Sequence, residues 1–115
     1  LPRVDIIYSH VDDDRIMADA AVAAGAKGII HAGTGNGSIA NPTMEGLKDA
    51  VAKGVVVVRS ARVPNGATTV SLPMWTKAGF LESDTLNPQK ARLLLQLALT
   101  KTQDPKEIQK IFDQY

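Results

Sequence analysis

The chain has 115 residues, of which 44% are hydrophobic and 22% are charged, with a formal net charge of +1 and no cysteine. These values indicate one globular domain that is large enough to bury a core. They exclude disulfides and thiolate zinc sites. Because there is no basic stripe and no apolar run of membrane-spanning length, we expect neither a nucleic-acid partner nor a membrane partner.

The first half of the chain predicts strands that alternate with helices. Val4–Tyr8 is rich in β-branched and aromatic residues, as buried strands are. The acidic run at 12–14 indicates a helix start, because carboxylates cap free N–H groups there, and Gly25 ends that helix. The run lacks ligand spacing, so we expect no metal site. Gly28–Ala32 predicts the second strand, and Gly33–Ser38 (GTGNGS) follows it as a loop.

The second half predicts two more strands and three helices. Asn41-Pro42 opens a helix that ends near Gly54, and Val55–Val58 has the unbroken apolar character of a strand covered on both faces. After a long loop over 64–78, Phe80–Leu81 predicts a short fourth strand. The remaining helices open with strong capping signals at Asn87-Pro88 and Asp104-Pro105.

The helix that begins at Asn87-Pro88 is mostly apolar. Its leucines and alanines leave only a narrow polar stripe through Arg92 and Gln96. A helix with this distribution is typically buried on most sides. We therefore expect it to lie within the core.

The alternation of strands and helices favours a parallel sheet between helical layers. We expect a small three-layer α/β domain with a mainly parallel four-stranded sheet flanked by helices, similar to half of a Rossmann fold. Ligands of such sheets bind beyond the carboxyl ends of the strands. This rule directs attention to His10, to the Gly33–Ser38 loop and to the segment Arg59–Arg62.

The Gly33–Ser38 loop is the sharpest candidate for a binding feature. Such loops let backbone N–H groups approach an anion beside a helix N-terminus. Its G-x-G-x-G spacing departs from the dinucleotide fingerprint, and Arg59, which could suit a phosphate, stands in the region where an acidic residue is expected. Ligand contact, a tight connection and nucleotide binding all remain open from spacing alone.

The other polar residues suggest no nucleophile–base pair. His10 and His31 are too isolated to be metal ligands, and we expect His31 to be a hydrogen-bonded structural residue of a strand. The hydroxyl residues from Ser60 onward lack a nucleophile elbow and an evident base. Trp75 is either an interface anchor or a packing residue of the long loop.

Three segments together resemble the bacterial type II L-asparaginases and glutaminase-asparaginases. They are GIIHAGTGNGS at Gly28–Ser38, VVRSARVPNGATT at Val57–Thr69, and the long, highly specific TLNPQKARLLLQLALTKTQDPKEIQKIFDQY at Thr85–Tyr115. The resemblance covers essentially the whole chain. It implies that residues 1–115 are the family's C-terminal domain, and that the catalytic N-terminal domain is absent from this chain.

The resemblance also implies a function for the parent protein. The family hydrolyses L-asparagine to L-aspartate and ammonia, with L-glutamine as a second candidate substrate, and uses no metal or cofactor. Its catalytic threonines lie in the N-terminal domain, so the resemblance assigns no catalytic residue here and implies that this chain alone is inactive. It places Ser38, with Asn36 on the same loop, against the substrate of a neighbouring subunit in a periplasmic homotetramer.

One segment departs from the family pattern. The family carries a glutamate that binds the substrate's α-amino group, and by alignment that position falls near Ser71–Pro73, with no acid before Glu82. Without this carboxylate the ammonium loses a charge-assisted contact, so another acid substitutes, the loop is altered, or binding is weak.

The competing interpretation of the chain is a stand-alone module that binds a small anion or serves assembly without catalysis.

Overall fold

The computed structural model describes residues 1–8, 15–33, 41–61, 79–83 and 86–114. The helices and strands in these ranges follow the order predicted from the sequence. They are β1 (Val4–Tyr8), α1 (Ile16–Ala23), β2 (Gly28–Gly33), α2 (Asn41–Ala52), β3 (Val56–Ala61), β4 (Leu81–Glu82), α3 (Pro88–Leu99) and α4 (Pro105–Gln114).

The four strands form one parallel sheet in the order β1-β2-β3-β4. Successive side chains of a strand point to opposite faces, which divides the core into two layers. Val57 packs in the layer that contains α1 and α2, whereas Val56 and Val58 pack in the layer that contains α3 and α4. The predicted three-layer α/β fold, and a third strand covered on both faces, are therefore confirmed.

Two helices end in the same glycine turn. Gly25 and Gly54 both have a φ of +88°, a left-handed conformation that residues with a Cβ rarely adopt. After α1, the N–H of Gly25 donates to the carbonyl of Val22, and the N–H of Ala26 donates to the carbonyl of Ala21, each at 3.0 Å. The same pair of bonds follows α2, which makes both turns Schellman motifs. The predicted helix ends at these glycines are confirmed.

Side-chain caps fix the starts of α3 and α4. Asn87 Oδ1 accepts from Lys90 N–H at 2.9 Å, and Asp104 Oδ1 accepts from Lys106 N–H at 3.0 Å. Each cap precedes a proline at the first helical position, as the sequence predicts. The acidic run proposed to start α1 lies outside the described residues.

Helix α3 is oriented differently from the prediction. Leu93 and Leu97 are 56% and 57% exposed, whereas Gln96 is 8% exposed. The polar stripe faces the start of β1, where Arg92 Nε donates to Val4 O at 2.9 Å and Gln96 Nε2 donates to Pro2 O at 3.2 Å. The expectation that α3 is largely buried is confirmed, because only one face of the described helix is exposed. The exposed face is the one that carries Leu93 and Leu97, and not the polar stripe.

The position of β1 gives the physical reason for this orientation. β1 is an edge strand whose only neighbour among the described strands is β2. The carbonyl of Arg3, just before β1, points toward that neighbour and accepts from the N–H of Lys27, just before β2. Because carbonyls alternate in direction along a strand, those of Pro2 and Val4 point away from β2 and need other donors. Arg92 and Gln96, one helical turn apart, supply them.

Candidate functional site

The carboxyl ends of the four parallel strands lie at one edge of the sheet, where α/β domains bind ligands. The glycine loop continues from Gly33, the last residue of the central strand β2. Several residues singled out from the sequence lie outside the described residues, and their predicted roles stay predictions. They are His10, the acidic run at 12–14, Asn36, Ser38, Arg62, and the long loop over 64–78 with Trp75.

A row of side chains crosses the sheet next to this edge. The strand register aligns Ile7, His31, Arg59 and Glu82 on four neighbouring strands. His31 and Arg59 are fully buried, and Glu82 is 9% exposed. The burial of His31 inside the central sheet fits the expected structural role.

Arg59 forms a buried ion pair with Glu82. Its Nη1 donates to Glu82 Oε1 at 2.6 Å across the β3–β4 pairing. Burial lowers the pKa of Arg59 from its ordinary value and the Glu82 carboxylate opposes this shift, while the ordinary pKa of a guanidinium is high enough to keep the group charged. The interpretation of Arg59 as a phosphate ligand is therefore wrong, because its guanidinium binds Glu82 inside the core.

Further polar contacts hold the short strand β4 in place. Ser60 Oγ and Ser83 Oγ each donate to the carbonyl of Leu86 at 3.1 Å. Gln109 of α4 binds the backbone of Glu82 twice, since its Oε1 accepts from the N–H at 2.9 Å and its Nε2 donates to the carbonyl at 3.1 Å. Ser60 is thus a structural hydroxyl. The role of Gln109 was missed because nothing in the local pattern marks it.

The described ranges contain neither a group of three or more His, Cys, Asp or Glu residues that could hold a metal ion nor a helix that could cross a membrane. The described part of the site is a set of buried structural contacts. The buried ion pair and the serine contacts join β3, β4 and the start of α3 directly beneath the carboxyl edge.

Comparison with known proteins extends this picture. Residues 3–112 match the Glutaminase/Asparaginase C-terminal domain. L-asparaginase 2 of Bacillus subtilis (strain 168) is 53% identical over 100% of this chain and 30% of its own length. The probable periplasmic L-asparaginase of Haemophilus influenzae is 48% identical over 100% of this chain and 33% of its own length.

A solved structure shows that the similarity extends to the fold. The crystal structure of a probable cytoplasmic L-asparaginase from Campylobacter jejuni superposes with a TM-score of 0.94 and 49% sequence identity, and the match covers 100% of this chain and 38% of that one. The chain thus spans about a third of the length of the relatives that it matches. By sequence and by fold, the chain belongs to the glutaminase/asparaginase C-terminal domain family.

Proposed function

We propose that residues 1–115 are the C-terminal domain of a longer L-asparaginase, whose N-terminal domain holds the catalytic threonines. The parent hydrolyses L-asparagine to L-aspartate and ammonia, with L-glutamine as a second candidate substrate, and works as a homotetramer. The observation that carries this proposal is the family match over residues 3–112. Relatives are named for either the periplasm or the cytoplasm, and on the type II resemblance we propose the periplasm.

Two observations support a proposal in which the chemical step takes place in the N-terminal domain and not in this one. The hydroxyl of Ser60 is bound to the carbonyl of Leu86, so it is a poor candidate for a nucleophile. The competing interpretation of the chain as an anion-binding module is weakened, because Arg59, its candidate cation, is buried against Glu82. We therefore assign the domain substrate contact and assembly, and we place the chemical step in the N-terminal domain.

Ammonia release tests the assignment of the reaction. The full-length gene product should release ammonia from L-asparagine, whereas the 115-residue chain, purified free of host enzyme, should release none above background. L-glutamine assayed in parallel gives the substrate preference. Turnover by the isolated chain, or an inactive full-length protein of native fold, would contradict the proposal.

Within this function, Ser38 is proposed to contact the substrate of a neighbouring subunit, supported by Asn36. The loop that carries them follows Gly33 at the carboxyl end of a central strand. A serine hydroxyl can donate to a carboxylate and accept from an ammonium, which suits an amino acid ligand.

Ser38→Ala in the full-length enzyme should raise KM and leave kcat little changed. A hydrogen bond to a charged ligand is worth about 1.5–3 kcal/mol, which corresponds to roughly a ten- to hundredfold rise in KM when ground-state and transition-state binding weaken together. Steady-state kinetics with L-asparagine measures both constants. Thr100→Ala is the matched control, because that exposed hydroxyl donates to the nearby carbonyl of Leu97 at the end of α3. An unchanged KM would remove Ser38 from the site, and a fall in kcat alone would refute a binding role.

A further inference from the structure

The start of α1 lies against the second turn of α2 at a glycine. Gly46 of α2 is buried, and a Cβ placed on it would lie 2.7 Å from the Cβ of Arg15, the residue before α1, and 3.3 Å from the Cα of Arg15. Carbon atoms in contact prefer separations of about 3.5–4.0 Å. Because the Cα and Cβ of Arg15 move only with its backbone, no change of rotamer can make room. A larger residue at position 46 would therefore push the two helices apart.

Two ion pairs join the helices at the same point. Arg15 Nε and Nη2 donate to the two carboxylate oxygens of Asp19, one turn along α1, at 2.9 and 3.1 Å. The same Nη2 also donates to Asp49 Oδ2 of α2 at 2.5 Å. Exposed ion pairs of this kind contribute little to stability. They do hold the Arg15 side chain against both helices, beside the glycine where the backbones meet.

This contact stands close to the connections that lead into α1 and α2. The connection from β1 ends at Arg15, and Ser38 stands three residues before Asn41, the first residue of α2. Both helices pack on the same face of the sheet through buried residues, which are Ala18, Ala21, Met44, Leu47 and Ala50. Because each helix is held on the sheet, we expect an added methyl group at position 46 to displace the starts of both.

We propose that Gly46 is a positioning residue for substrate binding. Its close contact with Arg15 sets where α2 begins, and so where the preceding loop presents Ser38. This inference rests on the proposed function, in which Ser38 contacts the substrate. Displacements of about 1 Å are enough to weaken contacts with a bound ligand severely. A change at Gly46 should therefore weaken substrate binding, while the chemical step in the N-terminal domain continues.

Gly46→Ala in the full-length enzyme tests this role. We expect KM for L-asparagine to rise about fivefold with kcat little changed, because ground-state and transition-state binding weaken together. Steady-state kinetics measures both constants, and urea unfolding of the same samples measures stability. Equal KM values in this variant and in the wild type would overturn the inference.

Gly54→Ala is the matched control at the other end of α2. Gly54 has a φ of +88°, and a Cβ placed on it would meet no described atom within 4 Å beyond its chain neighbours. The substitution should lower the urea midpoint through backbone strain and leave the contact between α1 and α2 intact, so KM should not change. A rise in KM as large as that of Gly46→Ala would show that general destabilisation is the cause, which would also refute the inference.

The double variant Arg15→Gly/Gly46→Ala tests whether the contact itself is responsible. It removes the Cβ of Arg15, the nearest described atom to the added methyl group, so KM should return to within about twofold of the value for Arg15→Gly alone. A folded double variant whose KM stays about fivefold raised would contradict the proposal, and this comparison also decides the case in which Gly46→Ala does not fold. A wild-type enzyme that releases no ammonia from L-asparagine would instead refute the proposed function, so the two failures are distinguishable.

Discussion

Replacing Arg59 by methionine should lower the free energy of unfolding by about 3–5 kcal/mol, the typical result of removing one partner from a buried ion pair. Glu82 is 9% exposed and bonded to Arg59 at 2.6 Å, so the variant removes a guanidinium that lies against a buried carboxylate. Water cannot compensate for the lost partner without opening the core. Equilibrium urea unfolding, followed by circular dichroism, measures the loss.

The double variant Arg59→Met/Glu82→Leu separates the ion pair from simple packing. Removing both charges takes away the desolvation penalty, so we expect the double variant to be markedly more stable than Arg59→Met alone. The contacts that Gln109 makes to residue 82 are to its backbone and survive the change. A double variant as unstable as the single variant would show that the cost comes from packing and not from an uncompensated charge.

Phe112→Ala should be comparably severe, with a loss of about 3–5 kcal/mol, as found when large aromatic residues are truncated in cores. Phe112 is 0% exposed to solvent, and together with Ile108 of the same helix it packs in the core layer that contains α3 and α4. The change removes apolar contacts and leaves a cavity that neighbouring groups fill only in part. Urea unfolding measures the loss directly.

Lys110→Ala on the same helix is the matched control. Its ammonium lies 3.5 Å from Glu107 in an exposed i,i+3 pair, so we expect a change of no more than about 0.5 kcal/mol. If Phe112→Ala cost as little as this control, α4 would not be an integral part of the core.

The elements of the fold could be predicted because their signals are local. β-branched runs mark β1, β2 and β3, and the caps at Asn87 and Asp104 and the turn at Gly54 act within four residues of themselves. Such contacts are written in consecutive residues, so hydropathy and capping patterns capture them.

The sequence did not predict features that depend on partners far along the chain. Gln96 bonds to a carbonyl 94 positions away, and Arg59 to a carboxylate 23 positions away. Hydropathy counts each leucine of α3 as core, whereas the edge strand requires donors on the flank of Arg92 and Gln96 and turns Leu93 outward. The assignment of Ser38 and Asn36 to the substrate came from family resemblance alone and stays a prediction.

The capped edge of the sheet limits how this domain can associate. A parallel sheet recruits a strand from another molecule through unpaired main-chain groups at its rim. At one rim the outward carbonyls of Pro2 and Val4 are already occupied by side chains, and at the other β4 is only two residues long. We therefore expect strand addition to be disfavoured at the start of β1 and at β4, and assembly with other copies to use helix surfaces instead.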